Sequence, residues 1–171
     1  SLKILEALTD LSIEYVKKQA NHGIECFQLF ETYAGLVPED FYLEKILPLS
    51  KKILNEARLN NLPTIFFPKG LGNGLSKIDK NICDYLSVDW QMNLNHSRKI
   101  INDDVGVQGN IDPRLLYSSY NQIEKYLSDL IPFGESNHNW IINLGHGFLP
   151  DIDYKKAKFV VDWIKQTNWK R

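Results

Sequence analysis

The sequence predicts an α/β fold with a parallel sheet, and three observations predict it. Short apolar runs rich in aromatic and β-branched residues alternate with stretches whose apolar residues recur every three or four positions, along the whole chain. Such alternation implies parallel pairing, because each helix returns the chain to the same end of the sheet. Polar side chains stand at the C-terminal end of every one of these runs, where working residues gather in sheets of this kind. Periodicity alone leaves two architectures open, an open doubly wound sheet and part of a (β/α) barrel. With 171 residues, 43% of them hydrophobic and 24% charged, positions 1–171 fit one globular domain or a piece of a larger one.

The elements follow in order. Leu2, Ile4, Leu5, Leu8, Leu11, Tyr15 and Val16 make one apolar stripe, so roughly 2–20 is an amphipathic helix, closed by Asn21-His22-Gly23. "ECFQLFE" suits a buried strand. "VPEDFYLEKILPLSKKILNEARLNN" opens with Pro38 and two acids, a helix N-terminus, and Pro48 is expected to kink it. "PTIFFP" is a strand, "KGLGNG" a flexible loop, and a short helix is expected near 76–83. "YLSVDW" is a strand before a helix near 94–102, and "VGVQGNID" is the next strand. "SYNQIEKYLSDLI" is a helix in which Ser119 and Gln122 have capping-box spacing. "WIINLGHG" is the last strand and "DYKKAKFVVDWIKQ" the closing helix.

Bulk composition removes several classes of function. A net charge of −1 gives no support to wholesale nucleic-acid binding, which requires a basic excess. No apolar run reaches the roughly 20 residues that span a bilayer, so no membrane role is expected. The opening "SLKILEALTD" lacks the pattern of a signal peptide. Cys26 and Cys83, far apart and without CxxC spacing, read as free thiols of a reducing cytoplasmic compartment, and neither a disulfide frame nor a metal site is expected. Ser1 enters a helical pattern without an initiator Met, which suggests a piece of something longer.

The strand ends carry Glu31 and Thr32, Lys69, Asp89, then Gln108, Asn110 and Asp112, and finally His146, all expected on one rim. His146 sits between two glycines. It either caps a backbone carbonyl in a tight turn or donates to an anionic ligand, and an imidazole also titrates near neutrality. Thr32 is either a helix cap or a ligand contact. Asp89 and Asp112 read as loop-orienting acids that accept from backbone N–H groups. "KGLGNG" does not match a phosphate loop, although its Lys69 is a candidate to meet an anion. His22, His96 and His138 have no metal-ligand spacing.

Several stretches taken together resemble the uroporphyrinogen decarboxylase family. "VQGNIDPRLLY" at 107–117 and "NLGHGFLPDID" at 143–153 are similar to two of its signature segments. "LFETYAGLVPEDF" at 29–41 resembles its strand ending in Ser or Thr, and "FFPKG" and "SVDW" match intervening strand ends in order and spacing. The resemblance implies a (β/α)8 TIM barrel, of which this chain corresponds to the C-terminal portion, about strands 4 to 8 with their helices. It implies cofactor-independent removal of CO2 from the four acetate arms of uroporphyrinogen III, giving coproporphyrinogen III in porphyrin and haem biosynthesis. By the same resemblance Thr32 and His146 are substrate-binding, Phe30 is an apolar wall of the pocket, and no catalytic residue falls in this segment, because the family's central aspartate lies in its other half. A cytoplasmic homodimer is implied too. Pro68, where relatives carry Ala or Thr, departs from the pattern.

Two other readings stand beside this one. Zinc-dependent, corrinoid-linked methyltransferases of the same superfamily place cysteines at barrel-strand ends, but "FFPKG" and "LGHG" carry none. A non-catalytic half-barrel or degenerate partner protein is the alternative from a different class. In isolation such a segment exposes strand edges and apolar surface.

Overall fold

The computed structural model describes residues 2–170. Helix α1 (Leu2–Asn21) leads through Gly23, at φ +82°, into strand β1 (Phe27–Glu31). A 3-10 turn (Ala34–Leu36) and the short helix α2 (Glu39–Phe41) precede a π-helical turn (Tyr42–Ile46) that runs on into α3 (Leu47–Leu59). Pro48, expected to kink this helix, lies inside a run that is helical from Glu39 to Leu59, where its missing N–H cannot donate to the preceding turn. The irregularity lies just before it, where the Leu47 N–H donates five residues back to the Tyr42 carbonyl.

Strand β2 (Thr64–Pro68) is buried along its whole length. It is followed by a 3-10 helix (Gly72–Lys77), earlier than the helix expected near 76–83, and by β3 (Tyr85–Ser87). Helix α4 (Leu94–Ile100) is capped by the Asn93 side chain, which accepts from the His96 N–H. Strand β4 (Gly106–Gln108), a 3-10 helix (Pro113–Tyr117), α5 (Tyr120–Asp129), α6 (Ile131–Ser136), β5 (Trp140–Ile141) and α7 (Tyr154–Gln166) complete the order. The Ser119–Gln122 capping box is formed as the spacing predicts. β5 is shorter than its apolar run, but pairing resumes at Leu144, bridged to Ile111.

The strands form one parallel sheet in the order β1-β2-β3-β4-β5. That order decides between the two architectures. A doubly wound sheet reverses its strand order and covers both faces. Here the order never reverses, so right-handed crossovers put every helix on the same face, as in the arc of a (β/α) barrel. The main core lies between that face and the helices, with Phe27, Phe66, Leu86, Val88 and Val107 against Val16, Ile53, Leu54 and Ala57. A second cluster, including Ile111, Leu116, Ile123, Leu127 and Val160, seats α5 and α7.

The other face of the sheet is the inside of the arc. Alternation along the strands sends Gln28 and Phe30, Phe67, Ser87 and Gln108 to it. The apolar stripe on α1 is only partly used. Val16 is buried against α3, while Leu8, Leu11 and Tyr15 are exposed, because α1 packs along one flank only. Among the described residues no helix is long and apolar enough to cross a membrane.

Candidate active site

A cleft of about 350 Å³ opens on the inner face at the C-terminal ends of the strands. Its depth is set by the sheet register. Phe30 pairs with Phe67, and Ser87 pairs with Gln108, so these four side chains form one layer. Two residues further along, Thr32, Lys69, Asp89, Asn110 and Asn143 form the rim. The ladder reaches that level, because the Lys69 N–H donates to Glu31 O (3.1 Å) and the Ile111 N–H to Asn143 O (3.0 Å).

The floor is polar and neutral. Gln108, 3% exposed, donates from Nε2 to Ser87 Oγ (3.0 Å) and towards Gln28 Oε1 (3.4 Å). That leaves the Ser87 hydroxyl and the Gln28 amide as donors facing the cleft. Gln28 and Ser87 escaped the sequence reading. The signal was a polar residue at an inward position of an otherwise apolar strand, and it is legible only once the inward face is known.

The wall is aromatic. Phe30, 64% exposed, meets Phe67 edge-on with ring centroids 6.1 Å apart. His146 packs edgewise against Phe67 at 6.3 Å and against Trp90 at 5.8 Å. These contacts, more than a backbone cap, hold the imidazole. Its Nδ1 lies 3.4 Å from the adjacent Gly147 carbonyl, too long for a firm hydrogen bond. The two glycines beside it are not equivalent. A side chain on Gly145 would run into the backbone of Asp89 and Trp90, whereas one on Gly147 would meet nothing within 4 Å.

The strand-end acids are committed to the frame. Asp89 accepts from the Gly70 N–H (2.8 Å) and the Gln91 N–H (2.9 Å). Asp112 accepts from the Arg114 N–H and pairs with its guanidinium, which holds the carboxyl below its ordinary range. Both match the loop-orienting role read from sequence. Asn110 donates to the carbonyls of Asp89 and Met92. Thr32, by contrast, lines the cleft with no side-chain hydrogen bond among the described residues. Among the described residues no Asp or Glu lines the cleft, and His146 is the one ionisable side chain that does.

Comparison with known proteins places the chain in a family. The sequence model described as "Uroporphyrinogen decarboxylase (URO-D)" matches residues 1–167. The chain belongs to the uroporphyrinogen decarboxylase family. It is 33% identical over 165 residues to the uroporphyrinogen decarboxylase of Trichlorobacter lovleyi, covering 96% of this chain and 48% of that protein. The enzyme of Geobacter sp. strain M21 is 32% identical, with 98% and 49% covered, and that of Francisella tularensis subsp. novicida 34% identical, with 95% and 48% covered. The chain thus spans about half the length of the curated relatives it matches.

Among solved structures, a methyltransferase from Methanosarcina mazei superposes with a TM-score of 0.77 at 18% identity, over 92% of this chain and 47% of that one. The likeness concerns the fold alone. Membership of a carboxy-lyase family is the finding that bears on chemistry here. The cysteines are also misplaced for thiolate metal chemistry at the rim. Cys26 precedes β1 and Cys83 precedes β3, at the opposite end of the sheet from His146. Among the described residues no cluster of three His, Cys, Asp or Glu side chains is set to hold a metal ion.

Proposed function

We propose that this chain is the substrate-gripping half of a uroporphyrinogen decarboxylase, one that removes CO2 from the four acetate arms of uroporphyrinogen III and yields coproporphyrinogen III. The observation that carries this reading is the convergence of Phe30, Thr32 and His146 on one cleft at the strand ends. Phe30 and Phe67 offer an apolar wall to a pyrrole ring, and Thr32 and His146 are hydrogen-bond donors for its carboxylates.

The reaction needs no cofactor. Protonation of the pyrrole carbon beside the acetate-bearing carbon makes a cationic ring, which accepts the electron pair as CO2 leaves. Protonation of the new methylene and loss of the ring proton then restore the pyrrole. An enzyme must deliver the proton and stabilise the cation. Among the described residues no carboxyl group lines this cleft, and this reading assigns the anionic partner of the ring cation to the family's other half. The same reading takes the protein as a cytoplasmic homodimer. The rival reading is a non-catalytic half-barrel or degenerate partner protein of the same superfamily.

The test is His146→Asn in the full-length protein, assayed with uroporphyrinogen III. Turnover should fall about tenfold or more, or partly decarboxylated intermediates should accumulate. Wild-type kinetics and an unchanged product pattern would sink the role of His146. A full-length protein that releases no CO2 would favour the non-catalytic half-barrel.

A further inference from the structure

We propose that Lys69 is a carboxylate-binding residue of this site, pairing through its ammonium with one carboxylate of the tetrapyrrole. The proposal rests on the decarboxylase reading and names a contact beyond Phe30, Thr32 and His146.

The rim sorts into committed and uncommitted groups. Asp89 and Asn110 are bonded to backbone, and Asn143 Oδ1 accepts from the Leu144 N–H at 2.8 Å. Lys69 is fixed by its backbone alone. Its N–H donates to Glu31 O (3.1 Å), its carbonyl accepts from the Gly35 N–H (2.9 Å), and the next residue's N–H is held by Asp89. The stem therefore leaves the end of β2 from a firmly anchored point, on the same side as Phe67.

Among the described residues the ammonium has no carboxylate partner. The ion pairs formed by lysines among the described residues involve Lys17, Lys45, Lys80, Lys125 and Lys158. Nζ lies instead 5.3 Å from the centre of the Trp90 ring, and that ring in turn packs against His146. Lys69 is thus directed towards the rim that His146 occupies, half-buried against an indole and with its charge unneutralised. A ligand bearing several carboxylates supplies the missing counter-charge. The attraction offered by Lys69 is local, since these 171 residues carry a net charge of −1.

The experiment compares Lys69→Met and Lys69→Arg with wild type in the full-length protein. The measurements are KM and kcat for uroporphyrinogen III at low and moderate salt, with a thermal melt of each variant. Lys69→Met should raise KM roughly tenfold or more, as loss of a charge-assisted hydrogen bond does. It should leave kcat within about threefold, flatten the salt dependence of KM and leave the melt unchanged. Lys69→Arg should recover most of the loss. A KM for Lys69→Met within twofold of wild type overturns the proposal. So does a rise in KM that Lys69→Arg fails to relieve and that comes with a lowered melting temperature. Wild-type protein without decarboxylase activity overturns the functional reading itself, which separates the two failures.

Discussion

Adding one methyl group to Gly145 and one to Gly147 should have opposite consequences. A Cβ on Gly145 would sit 3.0 Å from the Asp89 carbonyl carbon and 3.1 Å from Trp90 Cα, and closer still to the Trp90 nitrogen. Non-bonded carbons settle at about 3.5–4.0 Å, so the two backbones must separate by roughly half an ångström or more. Neither can give easily. The Asp89 side chain is tied to Gly70 and Gln91, its carbonyl accepts from Asn110, and the Gly145 N–H donates to Ile111 O at 2.7 Å. Overpacking of this kind costs about 1–3 kcal/mol of stability. Because His146 is the next residue, Gly145→Ala should also cost about tenfold to a hundredfold in kcat/KM for uroporphyrinogen III. Gly147→Ala has free space and no left-handed φ, so it should stay within about 0.5 kcal/mol and twofold of wild type. Urea melts and initial rates of the two full-length variants decide the matter. Equal behaviour of the pair, whether both benign or both damaging, would refute the assignment of Gly145 as the packing glycine.

The remaining predictions concern the frame and the thiols. Partial burial pushes the Asp84 carboxyl up. Hydrogen bonds from Lys80, the Thr64 hydroxyl and the Thr64 N–H more than reverse this and hold it at about 2. A depressed folded value means that its contribution, ~2 kcal/mol, is complete above the ordinary carboxylate pKa and is lost as pH falls from about 4 through about 2. Urea titrations in that window should show the loss in wild type and a flatter profile in Asp84→Asn. Arg98, its side chain 13% exposed, donates to the carbonyls of Val105 (2.7 Å), Ile101 (2.8 Å) and Asn102 (2.6 Å). Arg98→Lys should cost about 2 kcal/mol in a denaturant melt, because an ammonium cannot reproduce the fork, and a neutral substitution would contradict this. Burial and the nearby Asp84 charge push the Cys83 thiol up to about 12, whereas Cys26 is exposed with a smaller upward shift. Iodoacetamide on native protein should modify Cys26 first and reach Cys83 only on unfolding.

The fold class was readable because strand and helix periods differ and alternate cleanly from α1 to α7. The choice between a doubly wound sheet and a barrel arc was not readable from periodicity, because it depends on the lateral order of strands, a property of pairing. The motif at 143–147 and the strand end at Thr32 pointed to the rim from sequence. Gln28 and Ser87 did not, since a lone polar residue in an apolar run has no meaning until the inward face is known. Pro48 was legible as a disturbance of the helix but its form was not: the chain stays helical through it, and the irregularity is a π-helical turn at Tyr42–Ile46 just before it.

On the proposed function, the rim implies a division of labour that charge counting misses. A ligand with eight carboxylates would be repelled by the strand-end acids if they were free. Asp89 is covered by two backbone N–H groups, and Asp112 by Arg114 and its N–H. The acids therefore act as ties for loops, and their negative charge is met within the frame. What remains open to the cleft is a hydroxyl, an imidazole and, on the proposal above, an ammonium, over a floor of neutral amide and hydroxyl donors. Such a surface can hold carboxylates and has nothing anionic to steady a protonated pyrrole. Grip on one half-barrel and cation stabilisation on the other would thus be an electrostatic separation. A carboxylate placed on this floor, as in Gln108→Glu, would oppose the grip directly.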